Sequence, residues 1–142
     1  MPTVDETRFK IQRMLQSAFG RVELDSDDEF VFRGDSTLAL GQVLPYGDDE
    51  MIFNVWAPVL LNVPITNELC RFVATESYTV GNLIIREGPD GRSGELQFQY
   101  RIRANDIDES ALRLAVLMVV FTADDLDDKL VKRFGGELTF TD

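Results

Sequence analysis

The residues of this chain with the most obvious chemical capacity are its acids. They cluster at Asp25-Ser26-Asp27-Asp28-Glu29, at Asp48-Asp49-Glu50 and at Asp124-Asp125-Leu126-Asp127-Asp128. Convergent carboxylates are what calcium and magnesium bind. The first cluster begins the alternation of an EF-hand loop at Asp25, but Phe30 stands where the loop needs glycine and Ser36 where it needs a bidentate glutamate. Carboxylate pairs also run acid–base hydrolysis, which requires two groups in contrasting environments across a cleft, and neighbours at a turn tip do not supply that. The first two clusters therefore read as solvated turn tips. The third reads as an exposed helix stripe followed by Lys129, Lys132 and Arg133, its local ion-pair partners. No metal and no cofactor is expected.

The rest of the composition narrows the chemistry further. Histidine is absent and Cys70 is the one cysteine. This removes His-based acid–base catalysis, Ser-His and Cys-His nucleophile pairs and the usual zinc sites. Cys70, between Leu69 and Phe72 on a helical segment, is expected to be a small buried hydrophobe in a reducing compartment. Gly34, Gly41, Gly47, Gly81, Gly88, Gly91 and Gly94 form neither common phosphate-loop spacing. The 25 Asp and Glu against 14 Lys and Arg give a formal charge of −11, with the bases scattered, so nucleic acid is not an expected partner. The start of the chain lacks a basic-then-apolar leader and no stretch approaches the roughly 20 apolar residues of a membrane span. A cytoplasmic location follows as the expectation. At 142 residues the chain fits one domain over 1–142 with a core of its own.

The elements that position these residues are legible from periodicity. Thr3 to Phe19 reads as a helix ended by Gly20, with Ile11, Leu15, Ala18 and Phe19 on one side. Strands are expected over 22–24, 30–33, 37–44 and 51–60, separated by turn formers, as an antiparallel meander. Thr66 is the expected N-cap of a short helix through about Glu76. Asn82 to Glu87 and Glu95 to Arg103 flank Gly88-Pro89-Asp90-Gly91 as a hairpin, and the second strand alternates Leu96, Phe98, Tyr100 and Ile102 with Gln97, Gln99, Arg101 and Arg103. A long helix from Asp108 to Phe134, capped by Asp106 or Asp108 and stopped by Gly135-Gly136, closes the chain. The result is an α+β fold with helices packed on an antiparallel sheet.

Two apolar surfaces exceed what one core needs. The block Leu114 to Phe121 is apolar all round the last helix, so two different surfaces should cover it. In the strand around Trp56, Met51, Phe53, Val55 and Ala57 share one face while Ile52, Trp56 and Pro58 share the other, which is expected to be covered or used for contact. Pro58 suggests that this strand lies at an edge or is ending, where a partner's strand could add.

The blocks Asn54-Val55-Trp56-Ala57-Pro58-Val59-Leu60, Val63-Pro64-Ile65-Thr66-Asn67-Glu68-Leu69, Gly81-Asn82-Leu83 and Thr122-Ala123-Asp124-Asp125-Leu126-Asp127-Asp128-Lys129-Leu130, running into Arg133-Phe134-Gly135-Gly136, carry a family resemblance. In that order and spacing, over 9–136, the chain resembles the YbjN-like proteins, and more narrowly the actinobacterial branch grouped with type III secretion chaperones as peptide-binding chaperone domains. The resemblance implies an α-β-β-β-α-β-β-α arrangement of helices flanking a bent antiparallel sheet, often in dimers, with no catalytic site.

The functional expectation is a non-enzymatic, chaperone-like module, a homodimer holding an extended segment of a client protein. Ile52, Trp56, Leu117 and Phe121 are its expected apolar contacts, and Asp124, Asp125, Asp127 and Asp128 are expected to steer basic clients. The alternatives are a YbjN-type regulatory adaptor binding a folded partner protein, which would need a structured surface, and a small acid-based hydrolase, which would need carboxylates in a cleft.

Overall fold

Each helix begins where a side chain can cap it. In the computed structural model, which describes residues 3–140, Thr3 Oγ1 accepts the Glu6 N–H at 3.1 Å and opens helix α1, Val4–Phe19. Thr66 does the same for the Leu69 N–H at 3.1 Å and opens α2, Asn67–Thr75. Asp108, rather than Asp106, accepts the Ala111 N–H at 2.7 Å and opens α3, Glu109–Phe134. These caps satisfy amides that a first turn otherwise leaves unpaired. Gly20 and Gly135 stop α1 and α3 at φ 79° and 81°, a conformation other residues adopt only with strain. The expectation that the chain starts without a leader rests partly on Met1 and Pro2, which lie outside the described residues, as do Thr141 and Asp142.

Six strands form one antiparallel sheet: β1 (Glu23–Leu24), β2 (Phe30–Arg33), β3 (Leu38–Tyr46), β4 (Glu50–Pro64), β5 (Asn82–Glu87) and β6 (Ser93–Arg103), in the order β1-β2-β3-β4-β6-β5. The first four make the expected meander. The β5–β6 hairpin then docks through its second strand, so β6 lies inside and β5 takes the edge. The alternation expected for β6 holds: Phe53, Val55 and Ala57 of β4 pair with Ile102, Tyr100 and Phe98, which places the apolar set of both strands on one face.

α1 and α3 pack on that face, burying Ile11 and Leu15 with Phe53, Phe98, Leu112 and Val119. α2 closes the end of the layer, where Phe72 meets Phe134 at 5.2 Å between ring centres and Arg133 stacks over both rings while donating to Glu68. Asn105 ties the β3–β4 turn to the end of β6: its Oδ1 accepts the Met51 N–H at 2.8 Å and its Nδ2 donates to the Asp49 carbonyl at 2.9 Å.

Two expectations are corrected. β4 is a central strand rather than an edge, and Pro58 is tolerated because the register with β6 shifts between Pro58 and Leu60 and again before Val63. Cys70 is exposed, because the turn of α2 that reaches the core presents Leu69 instead.

Candidate protein-binding faces

α3 is the element with the most apolar surface to place, and the core takes only part of it. Leu112, Ala115, Val116, Val119, Val120 and Ala123 are buried, while Leu114 and Phe121 are 59% and 58% exposed. Leu117 and Met118 lie half-buried between them. The spacing 114, 117/118, 121 places all four along one outer ridge. A groove runs on each side of it. One, about 400 Å³, lies between α3 and the β1–β2 side of the sheet and is lined by Phe19, Phe32, Leu117, Phe121 and Asp124. The other, about 490 Å³, is lined by Tyr100, Ile102, Ala111, Leu114 and Met118. β5 pairs with β6 only from Gly94 to Gln99, so the second groove lies beside a stretch of β6, Tyr100 to Arg103, whose outer edge no strand covers.

The acids of α3 do not form one stripe. Asp124 turns inward and accepts four hydrogen bonds from the β2–β3 turn, from Asp35 N (3.0 Å), Ser36 N (3.1 Å), Ser36 Oγ (3.2 Å) and Thr37 Oγ1 (2.8 Å). Burial alone would raise its pKa, but the bonds from Thr37, Asp35 and Ser36 outweigh it and hold the carboxyl below the usual aspartate value. Asp127 is fully buried, with Oδ2 unpartnered among the described residues and Oδ1 accepting the Asp128 N–H. Burial pushes its pKa up; the Asp124 and Asp128 charges add to the rise, and the Ser36 hydroxyl and Asp128 N–H oppose it. The expected exposed stripe is thus corrected to two outward acids, Asp125 and Asp128.

The same division separates the expected apolar contacts. Leu117 and Phe121 share the first groove, whereas Ile52 and Trp56 lie half-buried on the opposite face of the sheet. There Trp56 sits between Leu40 and Gln99 in register, and Ile52 between Leu44 and Arg103. Leu114 and Met118 were not singled out by sequence reasoning, although their helical spacing from Leu117 and Phe121 was available to find them. At the first turn cluster, Asp25, Asp27 and Glu29 bring carboxylate oxygens within 4.8 Å of one another. Asp25 Oδ1 there accepts the Asp27 and Glu29 N–H groups, which closes the turn, so its position is already explained by the backbone. No helix is long and apolar enough to cross a membrane among the described residues.

A six-stranded antiparallel sheet backed by helices is a type III secretion chaperone-like fold. Two solved structures share it. The Yersinia pestis type III secretion chaperone SycH, in complex with a stable fragment of YscM2, matches with a TM-score of 0.58 at 10% identity, covering 84% of this chain and 98% of that one. YbjN from E. coli matches with a TM-score of 0.60 at 12% identity, covering 99% and 97%. No curated protein sequence matches the chain. Residues 5–142 match the family described as T3SS (YopN, CesT) and YbjN peptide-binding chaperone 1, and the chain belongs to that family. The order implied by the earlier resemblance is present, with the two-residue β1 as an additional strand before β2.

Proposed function

We propose that this protein is a non-catalytic, cytoplasmic peptide-binding chaperone, a single domain acting as a homodimer, that holds an extended client segment along the outer face of α3. The observation that carries the reading is the ridge Leu114–Leu117/Met118–Phe121, apolar, unpaired with any other element along its crest and flanked by two grooves. A ridge between grooves accepts alternating side chains of an extended segment, and the bare edge of β6 offers backbone groups beside it. Family membership and the likeness to SycH, solved with a bound fragment, support a segment rather than a small molecule as the occupant. Asp125 and Asp128, the outward acids of α3, would favour clients with basic residues at that end.

The test is retention of a reduced and alkylated, permanently unfolded test protein on the immobilised chaperone, compared with the same protein in its native form. Wild type is expected to retain the unfolded form, and Phe121→Asp and Leu114→Asp, both at exposed positions, to lose it while remaining folded. Retention of the native form alone would replace the chaperone with an adaptor for folded partners. Light scattering reads the dimer: a Leu117→Asp variant that is folded, monodisperse and unchanged in mass shows that this groove is not the dimer surface.

A further inference from the structure

The face of the sheet turned away from the helices has a composition unlike the rest of the molecule. On a chain of formal charge −11, its strand positions carry Arg33, Arg86, Arg101 and Arg103 against Glu23, Glu50 and Glu95, with neither lysine nor aspartate among them. Two of these arginines are already matched, Arg33 by Glu23 at 3.6 Å and Arg103 by Glu50 and Asp106. Arg86 and Arg101 make no ion pair among the described residues. Among the described residues Arg101 donates only through its Nε, to Asn54 Oδ1 at 3.2 Å, which leaves its other guanidinium nitrogens without a partner there. Glu95 stands opposite Arg86 in the register but accepts its hydrogen bond from Gln97 instead.

Arg86 and Arg101 line one shallow cleft of about 290 Å³ together with Trp56, Gln42, Gln97 and Glu29. It is therefore lined by an indole ring, Leu44 and amide side chains together with two guanidinium groups, with Glu29 in the lining and Glu95 beside it on Gln97. Guanidinium forks match a carboxylate in geometry as well as charge, and the indole face covers apolar stems. At physiological salt, fields from charges beyond about 8 Å are largely screened, so a group seated in the cleft meets chiefly Arg86 and Arg101, neither in an ion pair among the described residues, and the neighbouring Glu29 and Glu95 rather than the distant acids.

We propose that this sheet face is a second protein-binding site, distinct from the α3 grooves, and that it takes an acidic extended peptide segment whose carboxylates sit on Arg86 and Arg101 while an adjacent apolar side chain covers Trp56. The site stands on its own geometry and does not depend on the α3 reading.

Trp56 is the only tryptophan, so its fluorescence reports this face directly. The probe is a blocked eight-residue peptide alternating Glu and Leu, titrated against the full chain and compared with its Lys/Leu counterpart and with inorganic phosphate. The Glu/Leu peptide is expected to shift Trp56 emission saturably, with affinity falling as salt is raised. Arg86→Gln and Arg101→Gln should each weaken it about tenfold, the loss of one charge-assisted contact. Phe121→Asp should leave it unchanged, which separates this site from the client groove. Equal binding of the Lys/Leu peptide, or wild-type affinity in a folded Arg101→Gln protein, overturns the proposal. Saturation by phosphate alone at the same concentration also overturns it, by making the site an anion site rather than a peptide site. Should Arg101→Gln fail to fold for want of its bond to Asn54, Arg86→Gln decides, because the Arg86 side chain is exposed and makes no hydrogen bond or ion pair among the described residues.

Discussion

Replacing Asp124 with alanine removes a clamp between α3 and the β2–β3 turn and should be one of the costliest surface-proximal substitutions in this protein. Its carboxylate accepts four hydrogen bonds, three of them half-buried, and Thr37, one of the donors, is fully buried. The exposed Asp35 N–H can turn to water, but Ser36 N, Ser36 Oγ and Thr37 Oγ1 lose a charged acceptor in partial shelter. At about 1 kcal/mol each, discounted for the solvent that reaches them, the loss is about 2–3 kcal/mol. For a chain of this size that lowers the melting temperature by about 10 °C and the urea midpoint by about 1–2 M. Gly34 belongs to the same device: a Cβ there would lie 2.6 Å from Asp124 Oδ2, so the turn can approach the carboxylate only without a side chain. The matched control is Asp125→Ala, one residue along and exposed, expected to change stability by less than about 0.5 kcal/mol. Because the folded pKa of Asp124 is lowered, its contribution is present above the ordinary aspartate value of 3.8 and is lost as pH falls through the lower folded value. The stability gap between wild type and Asp124→Ala should therefore be constant near neutrality and narrow only in acid. Urea unfolding of both variants across that range decides it, and equal midpoints for Asp124→Ala and Asp125→Ala would refute the clamp.

Asp127 should behave in the opposite sense. Its raised folded pKa means that the stability it contributes is complete below about 3.8 and is lost as pH rises through the folded value, so Asp127→Asn should gain about 1 kcal/mol over wild type at neutral pH and nothing in acid. Denaturant midpoints at several pH values test this, and an advantage that does not change with pH would contradict it. Asn105→Ala leaves the Met51 N–H and Asp49 carbonyl without their partner and should cost about 1–3 kcal/mol. It should also speed amide exchange at Met51 before it does so in α3, and unchanged exchange there would show that the turn holds without Asn105.

Much of the fold was legible because its signals are local. A capping threonine or aspartate, a glycine that stops a helix and the alternation of β6 each depend on residues within a turn or two of one another, and Thr66, Asp108, Gly20, Gly135 and the Leu96-to-Arg103 strand all appear where their chemistry put them. Pro58 misled for the same reason. A missing amide argues locally for an edge, and only the pairing with β6 shows a register shift that lets a central strand omit it. Cys70 was misplaced because its apolar neighbours Leu69 and Phe72 suggested a buried site, whereas the face of α2 that meets the core carries Leu69 and leaves Cys70 outside it.

The candidate faces show where local reasoning ends. Composition and pattern by themselves determined an acidic α+β chain with more apolar surface than one layer can hide, and located that surface in Leu114 to Phe121 and around Trp56. Which acids face solvent was decided only by the tertiary structure, because the partners of Asp124 lie 87 to 89 positions away in the chain, on a turn that folding brings to α3. So too was the separation of Leu117 and Phe121 from Ile52 and Trp56 onto opposite sides of the sheet, and the gathering of Arg86 and Arg101 beside Trp56. A strand's alternation says which residues share a face; which face the helices will cover depends on contacts between segments far apart in sequence, and those exist only once the chain has folded.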